Sequence, residues 1–296
     1  MTTPELTSRI LTGLLRRQAA DTDQLLALLS KEQPTSPQLL DDRLQALHDQ
    51  QLVARFDGVW LLTDDGLAVA RSDAGAFEIG MGTPITAAAA PGRGARTEAV
   101  TSLALSFLRA HRAAFGDAPF EWESEPRLRS RDDAGRCQEI HPKAAVKTFT
   151  NGPRGLEPVR ALVDVWPEQA ESAVAERLGL YAGLVAAEHD HSAKAPWRRW
   201  LGRAPLLLIA VPAGPALGAV RHAFREAAGA DSRVQRLIDS VPIGVAAIDA
   251  VAEAGVEAAL WWSPVDGITQ VWRMLRCGME SAQEVSCAIS ACHLTG

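Results

Sequence analysis

Any chemistry in this chain has to come from a small number of carboxylates and basic side chains, and their spacing limits what it can be. Asp164 stands in the apolar run Val163-Asp164-Val165-Trp166; Glu139 and Lys143 precede it in QEIHPKAAVKTF, and Glu121 and Glu123 lie in FEWESEPRLR. Carboxylates converging from neighbouring strands can hold a divalent cation such as Mg2+, and a nearby lysine can assist the attacking water, which is the equipment of metal-dependent phosphodiester hydrolysis. Here Asp164 is the one carboxylate central to a strand-like run, and one carboxylate cannot orient Mg2+. The plainer expectation is that Asp164 pairs with Arg160 or Arg177, or caps a helix after Pro167. His189 and His191 in EHDHS lack the third and fourth ligands of a zinc site. No metal or cofactor is therefore expected, Mg2+ entering only if the chain is a nuclease.

A second chemistry is recognition of nucleic acid. Lys194, Arg198, Arg199 and Arg203 cluster around Trp197 and Trp200. Such a patch can contact phosphates while the indoles stack on bases or seat an arginine, although packed tryptophans flanked by solvated arginines have the same pattern. Nearer the N-terminus, PQLLDDRLQALHDQ turns Gln38, Asp41, Asp42, Arg43, Gln45, His48 and Asp49 outward if Leu40, Leu44 and Leu47 are buried. Gln38 and Gln45 suit adenine edges and Arg43 suits guanine, with His48 alongside; Arg55, Arg16 and Arg17 suit phosphates. The aspartates oppose this. The chain carries a formal charge of −6, and residues 1–75 hold 7 basic against 11 acidic side chains, so any affinity for DNA must come from local patches.

These groups need elements to position them. Ile10, Leu11, Leu14 and Leu15 predict a first helix within Pro4–Ala19, and Asp21-Thr22 starts a second, TDQLLALLS. Ser36 as cap and Pro37 at the first helical position start a third. LVARF and VWLLT are strand-like runs around Asp57-Gly58, the dipeptide of a type I′ hairpin, and Thr63 caps a closing helix DDGLAVARS. Helix, helix, helix, hairpin, helix is the order of a winged helix-turn-helix, expected over residues 1–75.

Residues 76–96, rich in Gly, Ala and Pro, read as a flexible linker. From Thr97 follow a helix (TEAVTSLALSFLRAHRAAF), three strand-like runs (FEWESEPRLR, QEIHPKAAVKTF, VRALVDVW), a helix with Val174, Leu178, Tyr181 and Val185 on one face, and the apolar strand APLLLIAVPA. PALGAVRHAFREAAG reads as a further helix, with extra strands at IGVAAIDAV and EAALWWSPV. The expected fold class is α/β. The order αβββαβ over residues 97–266 resembles the restriction-endonuclease-like nucleases, and residues 267–296 read as a helical tail anchored by Trp272 and Leu275.

Length and a hydrophobic content of 47% allow a sizeable core. The four cysteines lack paired spacing, and there is no phosphate-loop, dinucleotide or nucleophile-elbow motif. Without an apolar run of membrane-spanning length or a signal-like start, a cytoplasmic protein with no membrane partner is expected.

The opening RILTGLLRRQAADTDQLLALL, the run VWLLTDDGLAVAR, the helix TEAVTSLALSFLRAH, the tract WESEPRLRS and APWRRWLGRAPLLLIAVPA before ALWWSP are, in order and spacing, similar to the replication-relaxation family of actinobacterial plasmids and integrative elements. The resemblance implies action on double-stranded DNA of a mobile element, beside its replication or transfer proteins. It departs from the family at Lys143, where an aspartate is usual, and at Asp164, which lacks an acidic neighbour. The expected role is a DNA-binding accessory protein without catalytic activity, able to form a homodimer. A metal-dependent nicking nuclease and a protein-docking adaptor are the alternatives.

Overall fold

A computed structural model describes residues 3–30, 34–73, 85–87, 94–116, 118–131, 137–152, 155–166, 171–186 and 205–275. The chain divides into two units, Met1–Leu105 with Glu121–Ser124, and Ser106–Phe120 with Glu125–Gly296.

In the first unit, leucines at helical spacing build one core. Helices α1 (Thr3–Arg17), α2 (Thr22–Ser30) and α3 (Pro37–Asp49) bury Leu6, Ile10, Leu11 and Leu14, Leu25 and Leu29, and Leu40, Leu44 and Leu47 against one another. Each such side chain contributes about 1.5–3 kcal/mol on leaving water. The starts of these helices are written locally. Asp21 Oδ1 accepts from Gln24 N at 2.7 Å while Gln24 Oε1 accepts from Asp21 N at 3.2 Å, a reciprocal cap for α2. Ser36 Oγ accepts from Leu39 N at 3.2 Å ahead of Pro37 in α3.

Strands β1 (Val53–Phe56) and β2 (Val59–Thr63) pair antiparallel in register from Val53↔Leu62 to Phe56↔Val59. The turn residues Asp57 and Gly58 have φ of 49° and 79°, both positive as a type I′ turn requires. Helix α4 (Asp64–Asp73) is capped by Thr63, whose Oγ1 accepts from Gly66 N at 3.0 Å. Strand β3 (Thr86–Ala87) pairs parallel to β2, and Ile85 beside it is buried. Part of the span read as a linker thus satisfies backbone groups on the open edge of β2, a demand that composition does not register. Helix α5 (Gly94–Phe115) begins before Thr97 and contributes to both units, and strand β4 (Glu121–Ser124) is counted with the first.

The second unit is a mixed α/β structure. Its strands β5 (Leu128–Arg131) and β6 (Cys137–Ile140) form a separate two-stranded sheet. The larger sheet contains β7 (Ala144–Gly152), β8 (Gly155–Val165), β9 (Leu206–Val211), β10 (Ile243–Ala247), β11 (Trp261–Trp262) and β12 (Thr269–Gln270), in the order β12-β11-β10-β9-β8-β7 within this unit. β8, β9 and β10 run parallel, and the remaining pairs in this order are antiparallel. Parallel neighbours need crossovers, supplied by α6 (Glu171–Ala186) between β8 and β9, and by α7 (Pro215–Ala230) and α8 (Ser232–Ser240) between β9 and β10. These helices bury Leu178, Tyr181, Phe224 and Leu237 with Leu162, Ile209 and Trp262 of the strands and with Trp166, just past the end of β8. Successive residues of a strand face opposite ways, so Trp261 lies on the other face. There Phe107 meets Trp272 edge-on at 5.4 Å, Ser106 Oγ accepts from Val256 N at 2.9 Å, and helix α9 (Ile248–Ala254) follows β10.

Two features differ from the expected αβββαβ order. The runs read as the first and second strands are each interrupted at a proline: Pro126, beside Glu125 at φ 48°, separates β4 from β5, and Pro142 separates β6 from β7. A proline has no N–H for the ladder, and so ends a strand that apolar alternation alone would continue. The span read as a tail also begins as part of the core. Thr269–Gln270 pairs with β11, Trp272 is fully buried, and Leu275 packs over Gly244, whose missing Cβ would lie 2.6 Å from Leu275 Cδ1. Residues 276–296 of that tail lie outside the described residues, as do 76–84 and 88–93 of the linker. No described helix is long and apolar enough to cross a membrane.

Candidate functional site

Asp164, the carboxylate best placed for metal chemistry, ends the apolar stretch of β8 and is buried, its side chain 5% exposed. Its Oδ1 accepts from Val165 N at 2.9 Å. Its Oδ2 accepts from Trp166 Nε1 at 2.7 Å, from the Tyr181 hydroxyl at 3.0 Å and from Arg177 NH1 at 3.4 Å. α6 brings Tyr181 and Arg177, one turn apart, to this point. Arg177 also lies over the Trp166 ring at 5.9 Å. Burial, then the Asp164 charge and hydrogen bond, hold the Tyr181 hydroxyl well above its usual pKa, so it remains a donor. A carboxylate with these donors is an anchor between β8 and α6. Of the partners read from sequence, Arg177 is the one in place.

The other candidate catalytic groups have separate engagements. Glu139 is on β6, opposite Arg129 in register, and 3.5 Å from His141 Nε2. Lys143, between β6 and β7, donates from Nζ to Glu125 Oε1 at 2.7 Å. Glu123 is pushed above the usual carboxylate range by burial and by neighbouring Glu121. Among the described residues, no group of three His, Cys, Asp or Glu side chains could hold a metal ion.

On α3, the side chains read as DNA contacts divide. Gln38, Gln45 and His48 are exposed, as are Asp41, Asp42 and Asp49. Gln45 Nε2 donates to Asp49 Oδ1 at 2.9 Å, and His48 Nδ1 lies 3.8 Å from the same oxygen. Arg43 turns back toward α1 and donates from Nε to Thr7 Oγ1 at 2.6 Å, half-buried. Arg55 is exposed on the hairpin and lies over Trp60 at 5.5 Å. Arg17 is half-buried at the end of α1, where the side chain of Arg16 is not described. Lys194, Arg198, Arg199 and Arg203, with Trp197, Trp200, His189 and His191, lie outside the described residues.

Two polar clusters, one buried and one part-buried, carried no sequence signal, because their members come together only across the fold. His111 of α5 lies among Phe115, Phe120 and Phe149. Its Nε2 is 2.8 Å from the Ala118 carbonyl and its Nδ1 2.7 Å from Thr148 Oγ1. A carbonyl can only accept, so Nε2 carries the proton and Nδ1 accepts from the hydroxyl. Burial, with Arg273 and Arg112 nearby, holds His111 below the usual histidine pKa. On the same face Glu257 Oε1 accepts from Trp272 Nε1 at 3.0 Å and from Arg273 Nε at 2.8 Å.

The second unit is thus an α/β sheet protein whose one central carboxylate is committed to hydrogen bonds. No family model and no curated protein matches the chain. Among solved structures it is similar to restriction endonuclease FokI at 7% identity, over 83% of this chain and 43% of that one, with a TM-score of 0.29. The chain thus spans under half the length of that protein, and a superposition this loose bears on neither fold nor activity.

Proposed function

We propose that the protein is a double-stranded DNA-binding accessory protein of a plasmid or other mobile element, acting without catalysis, with residues 1–75 as a winged helix-turn-helix. The observation that carries this reading is the arrangement of α1, α2, α3, the β1–β2 hairpin and α4 around one core, with Gln38, Gln45 and His48 exposed on α3 and Arg55 exposed on the hairpin. A helix in that place reads base edges from the major groove while the hairpin reaches phosphates. The mobile-element setting rests on the similarity to replication-relaxation proteins. The nuclease-like reading of the second unit rests on its order of elements, and the hydrogen bonding of Asp164 favours a role without metal.

Binding of the full chain to a random-sequence duplex across a salt series tests the reading. Micromolar or tighter binding that weakens steeply with salt, with Arg55→Gln lowering the salt slope by about one, is the expected result. Absence of binding at low salt would overturn it. Mg2+-dependent nicking of supercoiled plasmid, abolished by Asp164→Ala, would replace it with the nuclease reading. A second reading, a protein-docking module, is favoured by exposed Leu39 beside Asp41 and Asp42, an apolar and acidic surface that repels phosphates. Capture of a basic partner protein without capture of DNA would establish it.

A further inference from the structure

Several described basic groups of the second unit are neutralised by a carboxylate at close range: Arg177 by Asp164 at 3.4 Å, Arg233 by Asp231 at 2.7 Å, Arg273 by Glu257 at 2.7 Å and Lys143 by Glu125 at 2.7 Å. Arg221 and Arg225 are arranged differently. They are one turn apart on α7, and their guanidinium carbons approach the Trp262 ring to 5.4 and 5.9 Å. Among the described residues neither meets a carboxylate, and Arg221 Nε is buried without an acceptor. Trp262 is held as a platform by its Nε1 donating to the Gly267 carbonyl at 3.1 Å and by Phe224, edge-on at 6.1 Å. Burial, and then the charge of Arg225, pull Arg221 below the usual arginine pKa.

We infer that Arg221 and Arg225, seated on Trp262, form a binding site for a phosphate group. A cationic pair that meets no carboxylate among the described residues, on a chain of net charge −6, is a cost that an anion would remove. Two guanidinium forks offer more N–H donors than the two oxygens of one carboxylate can accept. A phosphate, with more oxygens and a second charge, matches them. Arg225 is exposed and Arg221 half-buried, so the pair is open to solvent on one side and fixed by the indole on the other. Two sources carry this chemistry, a small phosphate and the backbone of a nucleic acid.

The test uses the full chain with two probes, inorganic phosphate followed by calorimetry in low-chloride buffer and a random-sequence duplex followed by anisotropy. Arg225→Gln, on an exposed helical position, is expected to weaken binding at least ~10-fold, the loss of a charge-assisted contact, without moving the thermal midpoint in phosphate-free buffer. Arg221→Gln is expected to act in the same direction. Loss confined to phosphate identifies the small-molecule source, and loss of duplex binding identifies the backbone. Saturable binding to neither probe, or affinities for both that Arg225→Gln leaves unchanged, would overturn the site. The site does not depend on DNA binding by the first unit. Arg55→Gln should weaken duplex binding and leave phosphate binding intact, so the two readings fail separately.

Discussion

Replacing Asp164 with alanine tests whether this carboxylate is an anchor or a vacant metal ligand, because the two roles move stability in opposite directions. In the wild-type chain its oxygens accept from the Val165 amide, the Trp166 indole, the Tyr181 hydroxyl and Arg177. Alanine leaves the indole N–H and the hydroxyl buried without that acceptor. Each such donor costs about 1–3 kcal/mol, and breaking a buried ion pair on one side costs about 3–5 kcal/mol in all. Arg177 is partly exposed and its contact long, so the lower half of that range applies, about 3–4 kcal/mol. Tyr181→Phe removes one donor and should cost about 1 kcal/mol. In the double mutant Asp164→Ala/Tyr181→Phe the tyrosine change should instead recover about 1 kcal/mol, because it removes the orphaned hydroxyl, giving a coupling of about 2 kcal/mol. Urea unfolding followed by tryptophan fluorescence, compared at constant m, measures all four forms. A carboxylate held ready for a metal is instead a destabilising feature whose removal stabilises the apo chain. Asp164→Ala within about 0.5 kcal/mol of wild type, or more stable than it, would refute the anchor.

Three further substitutions probe the packing and capping of the same fold. The unfolded chain takes up a proton at His111 near pH 6.5, which the folded chain resists. That stability is complete above about pH 6.5 and is lost as pH falls through the window below it, and His111→Gln should flatten the midpoint-versus-pH curve there. Gly66→Ala places a Cβ 1.8 Å from the Leu52 carbonyl oxygen, backbone that cannot step aside; a loss of about 2–3 kcal/mol, read by hydrogen exchange in α1–α4, is expected, and an unchanged exchange pattern would contradict the packing. Ser36→Ala should cost about 1 kcal/mol in thermal or urea unfolding, with Ser36→Asp close to wild type, since the cap on Leu39 N is a side-chain oxygen.

Legibility divided along the range of the interactions. Elements whose signals are local were readable: the Ser36-Pro37 start of α3, the Asp57-Gly58 turn, the Thr63 cap and the leucine faces of α1 to α3 each depend on residues within a few positions of one another. The apolar run of β9 and the helical periodicity of α6 were readable for the same reason. Pro126 and Pro142 are visible in the sequence too, but the strand-like alternation runs across both, and where two strands are expected there are four.

What depended on residues far apart in the chain was decided only by tertiary structure. Nothing local shows that Thr86–Ala87 pairs with β2, or that Leu275 fills the space over Gly244. Helical periodicity listed Arg43 as outward, and the contact with Thr7, thirty-six positions away, turned it inward. The chemistry of Asp164 followed the same rule. Its type and its place at the end of an apolar run are sequence facts, while Tyr181 and Arg177 become its partners only once α6 crosses back over β8 and the exclusion of water makes each hydrogen bond obligatory. Arg221 and Arg225 are one turn apart by sequence, but only the tertiary structure seats them on Trp262. Composition and spacing set which groups were available; packing and desolvation set which of them were already committed to one another.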